Sequence, residues 1–290
     1  MLTPLGRPPS SAPVMTTIHS LVDEGLGNSS YLVDIGDGRA LAVDPSRDPT
    51  AYLDLADANG LTIAYAAETH LHADFVSGSR ELSAHGARIV ASSLGHRQFS
   101  HLGVADGEDV DLGGLTLRAL ATPGHTPEHL TYLLLDGSRS VALFTGGSLL
   151  VGAVARTDLV DPDRGEHYAR VLYRSLRDKL RDLPDELRVY PTHGAGSFCS
   201  APAGGERTTT LGRERAANPF LATHDEETFA ALLLSGLGSY PPYFLRLQEV
   251  NRVGPHVFGE SPALPRIGPD AARKLLADGA VIIDVRPVGD

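Results

Sequence analysis

The chain has 290 residues, of which 42% are hydrophobic and 21% charged, with a formal net charge of −11. That length suits one large α/β domain with an appendage, and the negative balance argues against nucleic acid or an anionic membrane as a partner. No apolar run approaches the ~20 residues that span a bilayer, and a single cysteine, Cys199, excludes an internal disulfide framework and favours the cytoplasm.

Residues 1–15 carry one arginine and no continuous apolar stretch, so they read as a flexible leader and not as a signal peptide. Segments 16–22, 30–35 and 40–44 are short apolar or β-branched runs between Gly and Asp turns and predict a meander of strands. The spacing over 49–59 predicts a helix stopped by Gly60. Residues 62–68 predict a buried strand running into His70, followed by a helix over 75–86 and a strand over 88–92. Three more strands are predicted at 115–121, 130–135 and 140–144. The clearest helix covers 165–181, with Tyr168, Val171, Leu172, Leu176 and Leu180 on one stripe. A short strand at 187–190 leads into Pro191-Thr192-His193, and helices follow at 207–218 and 225–236. Strand clusters each followed by helices imply layered α/β architecture. Residues 251–266 are rich in Pro and Gly and read as a linker. Beyond them, 268–276 predicts a helix and 280–286 a buried strand, too little chain to close a core of its own.

Three histidine motifs stand at predicted strand ends. His70 and His72 are two apart in an extended segment, so their rings point to one side, with Asp74 next in the same register. His125 follows Gly124 in Thr122-Pro123-Gly124-His125-Thr126, where glycine permits a sharp turn, and His193 sits in Tyr190-Pro191-Thr192-His193-Gly194. Neutral imidazole is a good ligand for zinc or ferrous iron, so this placement predicts a metal site. Cys199 reads as buried and inert, His129 as a structural hydrogen-bonding residue, and Asp44 as a turn residue without a catalytic role. His85, His96, His101 and His167 fall in polar contexts and read as surface.

The phrases THLHADFVSG (69–78), ATPGHTPEHLTYLL (121–134), LFTGGSLLVG (143–152), ARTDL (155–159) and YPTHGAGSFC (190–199) carry a resemblance over roughly 16–250. The sequence resembles the metallo-β-lactamase superfamily and, within it, the persulfide dioxygenase branch with its rhodanese fusions. The resemblance implies an α/β fold, the αββα four-layer sandwich, over 16–250. The tail 267–290 resembles the opening of a rhodanese-like module. The dioxygenase resemblance implies one Fe(II), with Zn(II) as the alternative, held by His70 and His125, with His72 as the expected third ligand in place of a carboxylate. Asp74 and His193 are expected beside the metal as catalytic residues, and Arg156 is expected to bind the carboxylate of a thiol persulfide such as glutathione persulfide. A salt bridge from Arg156 to Asp158 or Asp161 is the competing reading. Dioxygen (O2) would be the second substrate, and a homodimer is possible.

Two positions depart from that pattern. The motif H-x-H-x-D-H would place histidine at 75, where this chain has Phe75, and F-T-G-D would place aspartate at 147, where it has Gly147. Both belong to the second metal in two-metal hydrolases, so their loss predicts a one-metal site with an open third ligand. His72, water or substrate, or less readily Asp74 or Asp158, could fill it. A mononuclear zinc hydrolase of thioesters, like glyoxalase II, and a non-catalytic domain are the alternatives.

Overall fold

The computed structural model describes residues 16–199, 205–259 and 265–284, so the proposed leader and residues 260–264 of the proposed linker lie outside the described residues. The chain divides into two units, up to residue 259 and from 260 onward. The first holds two six-stranded sheets. One runs β1 (Ile18–Asp23), β2 (Asn28–Gly36), β3 (Arg39–Val43), β4 (Thr62–Ala67), β5 (Arg88–Ser92) and β6 (Leu102–Val104), side by side in that order. Its first three strands are antiparallel and its last four parallel. The other sheet runs β7 (Asp109–Asp111), β8 (Thr116–Ala121), β9 (Leu130–Asp136), β10 (Arg139–Gly146), β11 (Arg188–Pro191) and β12 (Thr209–Thr210). Only β10 and β11 pair in parallel there.

Alternation along the strands builds the layers. Tyr31 and Val33 of β2, Leu41 and Val43 of β3, Tyr132 and Leu134 of β9 and Phe144 of β10 meet between the sheets in one core. The intervening residues face outward onto helices and are also apolar, because each sheet is covered on both sides. Leu32, Ala40 and Ala42 pack on Tyr52 and Ala56 of α1 (Thr50–Ala58) and Leu82 of α2 (Ser79–Ala84). Leu133, Leu143 and Val189 pack with Leu172 and Leu176 of α3 (Gly165–Leu180), Leu211 of α4 (Leu211–Ala217) and Phe229 of α5 (Glu226–Ser235). The order helix, sheet, sheet, helix is the expected αββα sandwich. No helix among the described residues is long and apolar enough to cross a membrane.

The differences from the sequence reading have local causes. The helix expected over 75–86 shrinks to α2, because residues 75–78 are held by tertiary contacts. Asn251 Nδ2 donates to the carbonyls of His72 (2.8 Å) and Phe75 (2.9 Å), and Ser77 N donates back to Asn251 Oδ1 (2.9 Å). Gly78 must be glycine in this backbone, since a Cβ there would stand 1.9 Å from the Ser46 carbonyl oxygen. Asn251 belongs to α6 (Phe244–Val253), a helix that the sequence reading left out and that runs into the expected linker. The next residues are docked as well. Arg80 and Arg47 donate to the carbonyls of Pro255 and His256, and the Phe258 and Gly259 amides donate to the Glu81 carboxylate. The first residues of the expected linker thus pack within the first unit. Strands β6 and β7, three residues each, are too short to show a period, and part of the helix expected over 207–218 is the edge strand β12.

The second unit contains α7 (Pro269–Ala277), as expected. The buried strand expected over 280–286 is not formed in its described part, 280–284, where Val281, Ile282 and Ile283 are 82, 69 and 79% exposed. A strand needs a neighbour for its N–H and C=O groups, and this unit offers none among its described residues.

Candidate metal centre

The strand ends of the two sheets converge on one buried cluster. Asp44, just after β3, has a positive φ of 48°, a strained conformation that an aspartate tolerates better than most residues. The twist turns its carboxylate onto the loop after β4, where it accepts from Thr69 N (2.7 Å) and Thr69 Oγ1 (2.7 Å). It also accepts from Thr192 Oγ1, after β11, and lies 3.2 Å from His72 Nε2. Asp44 thus ties the motifs of His70, His72 and His193 together, a role that the sequence reading did not give it. The positive φ has no sequence signature. The loop is further held by Glu128, which accepts from Leu71 N (2.8 Å), and by Arg97, which donates to the His70 carbonyl (3.3 Å).

The hydrogen bonds fix which ring nitrogens face inward. Thr69 Oγ1 spends its only proton on Asp44, so it accepts from His70 Nδ1 at 2.8 Å. His125 Nδ1 faces the Arg156 carbonyl at 2.7 Å and must donate to it. His193 Nδ1 donates to Asn28 Oδ1 at 3.0 Å, while Asn28 Nδ2 donates to Asp74 Oδ2 at 2.7 Å. His70, His125 and His193 therefore all carry their proton on Nδ1 and present Nε2 as a lone pair, the tautomer a metal ligand needs. His72 differs. Its ring stacks on Phe75 at 4.2 Å, and neither of its nitrogens makes a hydrogen bond, the Asp44 contact being close enough for an ion pair but off hydrogen-bond geometry.

Electrostatics separate the rings in the same way. Burial, reinforced by His72 and the other imidazoles, holds His70 well below its ordinary value. Burial and His193 push His125 down to about 3. Burial also opposes the charged form of His72, but Asp44, Asp74 and Glu68 outweigh it and raise His72. Asp44 is the counterpart. Burial would raise it, yet His72, Thr192 and Thr69 hold it at about 2. Asp74 is likewise ionised, with His193 and Asn28 overcoming its burial. Burial and Asp74 raise the Cys199 thiol.

The residues fit a metal ion. His70 Nε2 and His193 Nε2 are 3.3 Å apart, and two lone pairs at that distance need a cation between them. Ligand nitrogens about 2.0–2.1 Å from a tetrahedral zinc stand about 3.3–3.4 Å apart. Two buried triples have ligand atoms within 4.8 Å of one another, His70/His72/His193 and His125/His193/Cys199. His193 is common to both, so it stands at the centre of the cluster and not at its edge. Asp74 Oδ1 is buried and without a hydrogen-bond partner. Cys199, expected to be inert, is buried but lies inside the cluster.

Glycines set the approach of His125. At Gly124, with φ 143°, a Cβ would lie 2.4 Å from Leu172 Cβ, so only glycine lets this loop pack on α3. At Gly147 an ideal Cβ would lie 2.3 Å from His125 Cδ2. The His125 ring fills the space from which a carboxylate at 147 would project. Gly147→Asp is therefore expected to displace His125, destabilise the protein by about 1–3 kcal/mol and lower metal content. An unchanged melting temperature with more metal bound would contradict this.

Arg156 is engaged within the protein. Its guanidinium donates to Asp158 at 2.7 and 2.8 Å and to the Phe198 and Gly238 carbonyls, lies over the Tyr240 ring, and is almost fully buried. The competing expectation, a salt bridge to Asp158, is formed. Its backbone carbonyl faces His125 Nδ1. His129 is structural as expected, its Nε2 accepting from Gly147 N at 3.0 Å, and His85, His96 and His167 are exposed, with His101 partly so.

The metallo-beta-lactamase superfamily profile matches residues 23–193. Human "Persulfide dioxygenase ETHE1, mitochondrial" is 34% identical over 203 residues, 68% of this chain and 73% of the relative. A hydroxyacylglutathione hydrolase of Rhodopseudomonas palustris is 32% identical over 229 residues, 67% of this chain and 86% of the relative. Among solved structures, a metallo-beta-lactamase from Staphylococcus aureus superposes with TM-score 0.78 at 33% identity, covering 87% of this chain and 77% of its own. ETHE1 from Myxococcus xanthus gives 0.70 at 30%, covering 81% and 98%. The chain belongs to the metallo-beta-lactamase superfamily, and its curated relatives include proteins named persulfide dioxygenase and hydroxyacylglutathione hydrolase.

Proposed function

We propose that this protein oxidises the sulfane sulfur of a small thiol persulfide at a single metal ion, giving sulfite and the free thiol. The observation that carries the reading is the loss of second-ion donors at Phe75 and Gly147, in a chain similar to persulfide dioxygenases. His70, His125 and His193 would hold the ion, iron(II) by preference and zinc(II) as the alternative, with His72 supporting through Asp44. When bound, iron(II) would supply the redox chemistry between dioxygen and sulfur. Two oxygen atoms from O2 and one from water end on the sulfane sulfur, the S–S bond breaks, and two protons are released. Asp74, ionised and open at Oδ1, is the group placed to take a proton or orient the water. Arg156 acts as a positioning residue through its carbonyl bond to His125.

A cavity of about 480 Å³ borders the cluster through Asn28, Asp44 and Phe75. Asp23 and Glu24 also line it, and among the described residues no lysine or arginine does. A net-anionic carrier such as glutathione meets repulsion there, so cysteamine persulfide is expected to be turned over with the higher kcat/KM. The test is oxygen uptake and sulfite release by the iron-loaded protein with each persulfide. Cleavage of a glutathione thioester by the zinc-loaded protein, with no persulfide-dependent oxygen uptake, would establish the hydrolase reading instead.

A further inference from the structure

A site built from neutral imidazoles alone leaves the charge of a divalent ion unbalanced, and position 147 cannot supply the missing anion while His125 occupies its space. Two buried anions stand nearby. Asp44 accepts from Thr69 and Thr192 and faces His72. Asp74 meets both His193 Nδ1 and Asn28 Nδ2 through Oδ2, its Oδ1 has no hydrogen-bond partner, and it belongs to neither buried triple of ligand atoms. Cys199 remains. It is 1% exposed, and its sulfur and one ring nitrogen each of His125 and His193 all lie within 4.8 Å of one another. One backbone unit fixes that spacing. The Arg156 carbonyl receives His125 Nδ1 at 2.7 Å, and the Arg156 amide donates to the Cys199 carbonyl at 2.9 Å. The loop is closed from its other side by Cys199 N donating to Ser197 Oγ at 3.1 Å.

We infer that Cys199 is a thiolate ligand of this centre, supplying beside His125 and His193 the negative donor that Gly147 does not. The inference rests on the reading that the cluster holds a metal. Coordination exchanges the thiol proton for the ion, with no change of oxidation state.

X-ray absorption of the full-length protein loaded with zinc tests it directly. A sulfur neighbour at about 2.3 Å is expected, together with nitrogens at about 2.0–2.1 Å. Cys199→Ser and Cys199→Ala should lose the sulfur shell, and zinc affinity measured by chelator competition should fall at least about 10-fold. Cobalt(II) loading gives a second readout, a near-ultraviolet sulfur-to-cobalt band present in the parent and absent in both variants. A zinc-loaded parent with only nitrogen and oxygen neighbours would overturn the cysteine assignment and leave the metal reading standing. A parent that binds neither ion would overturn both.

Discussion

His125→Ala is expected to leave the purified protein with less than about a tenth of the parent's metal content while the fold persists. The ring is buried, held in its neutral form, and anchored through Nδ1 so that Nε2 faces His70 and His193. Alanine removes that donor and leaves a cavity where the ring was. His70→Ala and His193→Ala should behave alike, and His85→Ala, at an exposed position, should retain the parent content. His72→Ala discriminates within the cluster. Retention of most of the metal assigns His72 to support through Asp44, whereas loss equal to that of His125→Ala makes it a ligand. Elemental analysis beside circular dichroism reads all five variants, and full occupancy in His125→Ala would end the assignment of that ring.

Arg97→Met is expected to produce the largest loss of stability. Arg97 Nε donates to Glu68 Oε2 at 2.6 Å, with both side chains essentially inaccessible to solvent. Glu68 also accepts from Ser77 and Ser79, and burial, which would otherwise favour its neutral form, is overcome by Arg97 and these hydroxyls. Methionine fills much of the volume but leaves the carboxylate without its counterion. Removing one partner of a buried pair costs about 3–5 kcal/mol, roughly 6–20 °C in melting temperature for a domain of this size. Because Arg97 also holds the His70 carbonyl, the variant should lose metal affinity as well as stability. A melting temperature within a degree or two of the parent would show that the pair contributes little.

Much of this was legible in the sequence because it depends on periodicity and punctuation. The two-residue period of β2, β9 and β10 and the helical stripe of α3 fix the layers, and Gly124 marks the turn that delivers His125. The strand-end histidines were identifiable for the same reason. The rest depends on contacts between residues far apart in the chain. Asp44 and Asn28 look like ordinary turn and strand residues until folding places them 25 and 46 residues away, against Thr69 and Asp74. Asn251 reads as the start of a linker, yet it holds the carbonyls of His72 and Phe75. Arg156 has the right residue type for a carboxylate-binding role, but only the structure reveals that Asp158, two positions on, already occupies its fork.

Phe75 and Gly147 leave this cluster the donors for a single ion. Metal stoichiometry of the purified full-length protein, after saturation with iron(II) anaerobically or with zinc(II) and removal of loosely bound ion, tests it most directly. One ion per chain is the predicted result, with its loss in His125→Ala. Two tightly held ions per chain, or none, would contradict it.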